Sequence, residues 1–174
     1  SGRGKHAIAE LFEQSAGLLG GQEHMNIANF STQIGFNCIP ATSDFVGAYT
    51  ADEIQLTTQT QILMRKQFPI TVTAVQIPTF IGYAQTVSIE FEKEMDASKV
   101  RQILDHAENV NVLDNPERHE YSTPYGCAEA NGIFVSRIRN DMMNPNTVNL
   151  WIVADNLQLS ASNIAQIVKK LSAH

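Results

Sequence analysis

Two runs of strand-forming residues, Ile133 to Arg139 and Val148 to Ala154, constrain the fold of this chain more than any other feature. Both runs are rich in β-branched and aliphatic residues, which favour extended backbone on a partly buried surface. The connection between them contains residues that favour turns, namely Asn140, Asp141, Asn144, Pro145 and Asn146. Since a connection this short joins antiparallel neighbours, the pattern predicts a β-hairpin and hence an antiparallel pair.

Four other segments have the signals of helices. Lys5–Leu19 places apolar side chains three and four residues apart, as a helix with one buried face does. Thr50-Ala51-Asp52-Glu53 matches the capping box and predicts a second helix that ends at about Lys66. Asp96 is a suitable cap for a third helix. A fourth, from about Ser162 to Ala173, has an apolar face and lysines near its C-terminal end.

Three further segments indicate strands. Ile70–Ile77 alternates as a strand with one better-buried face does, and Gln85–Glu92 follows after Gly82. The spacing predicts that these two strands pair as antiparallel neighbours. Val110–Leu113 is a short, edge-like strand. The element order α-α-β-β-α-β-β-β-α indicates an α+β fold with a mainly antiparallel sheet.

Size and composition are those of an ordinary globular domain. The chain has 174 residues, of which 43% are hydrophobic and 17% charged, and its net charge is -6. The 12 lysines and arginines are scattered, so the basic stripe that nucleic-acid binding requires is absent. No apolar run reaches the roughly 18 residues of a membrane span, and no signal-type segment is present. We expect a cytoplasmic protein with neither nucleic acid nor membrane as a partner.

The cysteines and histidines do not form a recognisable site. Cys38 and Cys127 lie far apart without a C-x-x-C pair, which argues against a disulfide framework and structural zinc. The five histidines show no pair at metal-ligand spacing, so we expect no metal. A nucleophilic thiol needs a nearby base or helix N-terminus, and none is visible beside Cys38. Cys38 is therefore expected to fill space in the core.

Two other patterns invite a functional interpretation. Gly2-Arg3-Gly4-Lys5-His6-Ala7 formally matches the dinucleotide fingerprint, but no strand precedes it and no βαβ unit follows. We expect a flexible entry into the first helix instead. Arg137, Arg139 and Asp141 alternate at the end of a strand, where charged side chains usually form a solvated face or cross-strand pairs.

Three motifs together resemble the aspartate-semialdehyde dehydrogenase family. N-L-W-I-V-A-D-N-L, from Asn149 to Leu157, is similar to the family's N-L-W-V-V-A-D-N-L. R-I-R-N-D, from Arg137 to Asp141, resembles its R-I-R-x-D, and S-G-R-G-K at the start resembles the S-G-x-G loop that opens its second domain. The resemblance covers nearly the whole chain. It implies the family's second half, while the first domain, a Rossmann unit with the nucleophilic cysteine, is missing.

The resemblance implies a particular domain organisation. Residues 1–155 correspond to the C-terminal dimerisation domain, a glyceraldehyde-3-phosphate dehydrogenase-like fold whose mainly antiparallel, mixed sheet has helices packed on one face. Residues 156–174 correspond to the helix that in the family returns to the N-terminal Rossmann domain. Without that domain, we expect the helix to lack its usual cover on the apolar residues Ile164, Ile167, Val168 and Leu171. The start at Ser1, without methionine, is what an excised fragment would show.

The segment from Ala74 to Phe91 resembles the family's active-site strand without its charged groups. The arginine that binds the substrate carboxylate falls on Gln76, and the acid/base histidine falls on Tyr83. The substrate-binding E-x-x-K falls on Asp52 and Gln55, so the acid is shortened and the lysine is lost. The resemblance therefore implies no intact catalytic residue. It also implies cofactor contacts at the start of the chain, at Ser1 and Gly2.

A branch of the family, the Usg-type proteins, shares Q-x-P-x-F-x-G-x-A-Q with residues 76–85 of this chain. The E-Q-S-A-G-L-L-G-G run from Glu13 to Gly21 resembles the same branch. Our first hypothesis is a homodimerising, Usg-type pseudoenzyme domain that holds no cofactor itself, NADP being implied for the full-length protein. The alternative is part of an active NADP-dependent semialdehyde dehydrogenase of amino-acid biosynthesis with an altered substrate preference. In that case Tyr83 would donate the proton and Gln76 would be a neutral clamp.

Overall fold

The computed structural model describes residues 3–172. This part of the chain forms two compact units, the first from Arg3 to Phe80 and the second from Ile81 onward. The first unit contains helices α1 (Gly4–Leu19) and α2 (Ala51–Met64) and the short strands β1 (Phe45–Val46) and β2 (Tyr49–Thr50). The second unit contains strands β3 (Tyr83–Glu90), β4 (Val110–Val112), β5 (Asp114–Asn115), β6 (Glu120–Tyr121), β7 (Ile133–Asn140) and β8 (Thr147–Ala154), a 3-10 turn (Pro116–Arg118), and helices α3 (Ala97–Asp105) and α4 (Asn156–Ser172).

The first unit has a small apolar core made by Leu11, Ile34 and Ile39. The predicted capping box is confirmed at the start of α2, where the Thr50 and Glu53 side chains each accept from the other's backbone N–H. β1 and β2 form an antiparallel hairpin directly before this cap. The hairpin and the cap together fix the position at which α2 begins.

Two side chains of α1 hold the long loop that follows it. The Glu10 carboxylate accepts from the N–H groups of Ala28 (3.1 Å) and Asn29 (2.7 Å) and from the Asn29 side-chain amide. One turn later, the Gln14 carbonyl oxygen accepts from the N–H groups of Ile34 (2.8 Å) and Gly35 (3.0 Å). Glu10 and Gln14 are both buried. The loop is therefore ordered by polar contacts to one helix face, since it lacks a strand ladder to satisfy its backbone.

A four-stranded sheet in the order β3-β8-β7-β4 forms the centre of the second unit. The predicted hairpin is confirmed as the antiparallel pair of β7 and β8. β3 pairs antiparallel with β8, whereas β4 pairs parallel with β7, so the sheet is mixed. Val100 of α3 packs with the buried residues Val135, Ile138, Val148 and Leu150 on one face of the sheet. The predicted α+β class with a mainly antiparallel sheet is confirmed.

Helix α4 begins at Asn156, six residues before the predicted start. Asp155 explains the difference, because one carboxylate oxygen accepts from the N–H groups of Leu157 (2.9 Å) and Gln158 (3.2 Å). Its other oxygen accepts from the N–H of Glu129 (2.9 Å), and the hydrogen bonds, that from Glu129 first, hold the pKa of Asp155 below its usual value despite burial. Four apolar residues of α4 are exposed, namely Ile164, Ile167, Val168 and Leu171. None of the helices within residues 3–172 has the length and apolar character to cross a membrane.

Three sequence predictions about the fold were wrong. Ile70–Ile77 forms no strand, although its burial does alternate as predicted, because its only ladder contact is a single bridge between Gln76 and Ile39. The strand predicted to pair with it is β3, whose partner is β8. Cys38 is exposed and does not fill the core, since Ile34 and Ile39 on either side of it do so.

Candidate functional site

Asp52 and Gln55 lie three residues apart in the first turn and a half of α2, and both are exposed. This spacing places their side chains on one face of the helix. The N–H of Asp52 donates to the Ser43 hydroxyl at 2.9 Å. The capping box therefore positions both residues at the positive end of the helix dipole, where negative charge is stabilised.

Glu53 connects this helix end to the segment that carries Gln76. Its Oε2 accepts from the Thr50 N–H and its Oε1 from the Ala74 N–H, both at 2.8 Å. The hydrogen bond from Thr50, followed by that from Ala74, lowers the pKa of Glu53. Two residues further on, Gln76 exchanges two backbone hydrogen bonds with Ile39, at 2.9 and 2.8 Å. Gln76 is thus fixed by its backbone, and its side chain is nearly buried.

Tyr83 is the first residue of β3 and lies opposite Ala154 of β8. Its side chain is 37% exposed. Burial raises the pKa of its phenol above the ordinary value of 10.0. At neutral pH the phenol therefore keeps its proton, and it can donate a hydrogen bond but cannot accept a proton as a general base.

The structure brings together only some of the predicted site residues. Asp52, Gln55 and Gln76 belong to the first unit and are linked through Glu53, whereas Tyr83 belongs to the second unit. Ser1 and Gly2 lie outside the described residues. The four described positions provide one carboxylate, two neutral amides and one phenol. They provide none of the cationic groups that bind a carboxylate strongly.

The sequence did not indicate a cavity on the face of the sheet opposite α3. It measures about 370 Å³, and its lining includes Thr86, Tyr121, Ser122, Arg137, Arg139 and Trp151. The sequence predicts a solvated face or cross-strand pairs for Arg137 and Arg139, and both residues are exposed. A β-bulge between Ser136 and Arg139 brings both arginines to this cavity, and no local sequence pattern identifies such a bulge. Among residues 3–172 there is no group of three or more potential metal ligands.

The chain matches the family model described as "Semialdehyde dehydrogenase, dimerisation domain" over residues 1–159. It is 36% identical over 173 residues to an aspartate-semialdehyde dehydrogenase from Rickettsia typhi and 34% identical over 174 residues to one from Aquifex aeolicus. Both alignments cover 98% of this chain and 51% of the relative.

Among solved structures, aspartate semialdehyde dehydrogenase II from Vibrio cholerae superposes with a TM-score of 0.93 at 33% sequence identity. The superposition covers 99% of this chain and 52% of that one. The chain therefore spans about half the length of the relatives it matches. With a family model that covers most of its residues and relatives above 30% identity, the chain belongs to the semialdehyde dehydrogenase family and comprises that family's dimerisation domain.

Proposed function

We propose that this chain is the dimerisation half of a Usg-type, aspartate-semialdehyde dehydrogenase-like protein whose catalysis is weakened or lost. The observation that carries the proposal is the absence of charge at Gln76, the position equivalent to the family's substrate-binding arginine. A neutral amide cannot form the charge-assisted, bidentate pair that a guanidinium makes with a carboxylate. The missing charge removes a contact worth about 1.5 to 3 kcal/mol.

Tyr83 supports the same proposal. An acid/base catalyst works best with a pKa near the operating pH, and burial moves the pKa of this phenol further above neutrality. Gln55 adds a third neutral group, in place of the family's lysine. Three charged or titratable groups replaced by neutral ones favour lost activity over a new substrate preference.

The protein proposed here has further parts beyond this chain. Residues 1–155 form the dimerisation domain, and residues 156–174 return to an N-terminal Rossmann domain of the same chain. That domain would bind NADP, with Ser1 and Gly2 at the edge of the cofactor site. We place the protein in the cytoplasm.

The alternative is an active NADP-dependent semialdehyde dehydrogenase of altered specificity. It is favoured by one property of Tyr83, whose phenol is partly exposed and keeps its proton at neutral pH, as a proton donor must. Gln76 would then hydrogen-bond a substrate without pairing with its charge. A nucleophilic cysteine in the N-terminal domain is essential to this alternative, and a residue there without nucleophilic character excludes it.

Turnover by the full-length protein distinguishes the two. With aspartate semialdehyde, phosphate and NADP, we expect no NADPH formation above background when the absorbance of NADPH is followed. If the upstream cysteine is present, a Gln76→Arg, Tyr83→His variant should gain about 10²-fold or more, because it regains a carboxylate clamp and a general base. The matched control is Gln59→Arg, Tyr125→His, which makes the same changes at exposed positions. Wild-type turnover of about 1 to 10³ s⁻¹ would contradict lost catalysis.

Self-association is a separate prediction. Large apolar side chains remain exposed on both units, among them Leu63, Met64 and Leu157. Surfaces of this kind usually mark an interface. At tens of micromolar, light scattering should give twice the 19.2 kDa mass of the chain. A mass that stays at one chain across a dilution series would contradict the proposed dimer.

A further inference from the structure

The bulge in β7 changes which side chains reach each face of the sheet. Ser136 lies opposite Trp151, but Arg139 lies opposite Asn149, so three steps on β7 match two on β8. Arg137 takes the extra position, with a φ of +57° that non-glycine residues seldom adopt. Without the bulge, Arg139 would point to the same face as Ile138 does now. Instead Ile138 is buried in the core and Arg139 lines the cavity on the other face.

Asp114 holds this unfavourable backbone in place. Its carboxylate accepts from the N–H groups of Arg137 (2.8 Å) and Ile138 (3.0 Å), the two residues at the bulge. It also forms an ion pair with Arg101 of α3, and its side chain is only 1% exposed. Backbone strain persists only where the surroundings enforce it, and it is concentrated at functional sites. The bulge, held by Asp114, therefore places two arginines at one cavity.

The two guanidinium groups are available to an anion. Within residues 3–172, Arg137 forms no ion pair. Arg139 donates to the Arg137 carbonyl oxygen at 2.8 Å and interacts with the nearby charge of Asp141. The Asp141 carboxylate is itself bound by the Met143 and Asn144 N–H groups and by Asn149. The Asp114 carboxylate beside Arg137 is paired with Arg101, so the two arginines at the cavity leave it with a net attraction for negative charge.

The rest of the cavity suits a small organic molecule. Trp151 forms part of the wall and is fixed by a hydrogen bond from its Nε1 to the Ser122 carbonyl oxygen at 2.9 Å. Thr86 and Tyr121 contribute hydroxyl groups. A volume of about 370 Å³ lies within the range of small-ligand sites.

We propose that this cavity binds a small organic anion, a carboxylate or a phosphate, between Arg137 and Arg139. The guanidinium groups bind the anionic oxygens, and Trp151 contacts the remainder of the molecule. This site is independent of the residues on which the proposed function rests, so it remains whether or not the protein is an enzyme.

The chain contains a single tryptophan, and this residue lies in the cavity wall. Binding can therefore be followed by intrinsic fluorescence. Titration with inorganic phosphate and with malonate, at constant ionic strength, should give a saturable change with half-saturation at or below about 1 mM for at least one of them. Chloride at the same ionic strength should give none. The absence of a saturable change with both anions overturns the proposal.

The variant that tests the two arginines is Arg137→Asn, Arg139→Gln. Asparagine tolerates the left-handed backbone better than most residues, so the charge is removed with little added strain. We expect at least a 10-fold weaker half-saturation. The matched control is Arg65→Asn, another exposed arginine at positive φ (+51°) and in the other unit, which should leave the titration unchanged.

Circular dichroism establishes whether the variants fold. If the double variant does not fold, the titration is repeated with Arg139→Gln alone, because Arg139 is not at the position of positive φ. An unchanged titration in a folded variant overturns the site. So does a fluorescence change that follows protein concentration and not anion concentration, because a second copy of the chain would then fill the cavity.

Discussion

Replacing Asp114 with alanine is expected to lower the free energy of unfolding by about 3 to 5 kcal/mol. The carboxylate has three partners, namely the Arg101 guanidinium and the N–H groups of Arg137 and Ile138. Its removal takes the charge partner from the partly buried Arg101, which keeps only its hydrogen bond to the backbone carbonyl of residue 114. It also leaves two backbone N–H groups without an acceptor, each at the cost of its desolvation. One of these is the N–H of Arg137, whose backbone is at positive φ.

Urea denaturation of the wild type, Asp114→Ala and Asp114→Asn checks this prediction. Asp105→Ala is the control, since Asp105 is an exposed acid at the end of α3 and should change stability by no more than about 0.5 kcal/mol. Arg137→Gly in the Asp114→Ala background should restore part of the loss, because glycine accepts a positive φ without strain. A loss below about 1 kcal/mol for Asp114→Ala would show that the bulge is stable without its anchor.

Removing the Glu10 carboxylate has the second largest expected effect. Glu10→Ala should cost about 2 to 4 kcal/mol, because hydrogen bonds to a charged acceptor are the stronger ones. The loop at Ala28 and Asn29 would lose its acceptors and gain mobility. Glu13→Ala on the same helix is the control, since that side chain is exposed and should show little change. Equal denaturation midpoints for the two variants would contradict the role given to Glu10.

The same carboxylate should make stability depend on pH. Burial raises the pKa of Glu10, but the hydrogen bonds from the Asn29 side chain and from the Ala28 and Asn29 N–H groups outweigh it, so the pKa lies below the ordinary 4.5. The folded state therefore binds a proton less readily than the unfolded state. Its contribution is fully present above pH 4.5 and is lost as the pH falls through the lower folded-state pKa. The stability difference between wild type and Glu10→Gln should shrink as the pH falls through the folded-state pKa, and a difference that stays constant well below pH 4.5 would contradict this.

Local signals predicted the parts of the fold that local chemistry determines. The hairpin of β7 and β8 followed from turn residues between two strand-forming runs, and the start of α2 followed from Thr50 and Glu53. Ile70–Ile77 failed because alternation reports which face is buried, whereas a strand also needs a neighbour along its whole length. That neighbour depends on the tertiary fold. β3, the strand predicted to pair with Ile70–Ile77, pairs with β8 over eight residues.

The candidate site shows the same limit. Positions 52, 55 and 76 are implied by the family resemblance, whereas the hydrogen bond between Glu53 and Ala74 could not be predicted, because it joins residues 21 apart. The cavity at Arg137 and Arg139 depends on Asp114, more than 20 residues upstream. A carboxylate that binds two N–H groups so far along the chain leaves no periodic pattern by which it could be recognised.

Asp155 has a mechanical consequence for the C-terminal helix. The same carboxylate caps α4 and accepts from the N–H of Glu129, a residue with a φ of +62°. A change in the direction of α4 that displaces this carboxylate would also remove the acceptor from Glu129. The start of α4 and the turn at Glu129 are therefore coupled through one carboxylate, and a displacement of either is felt by the other.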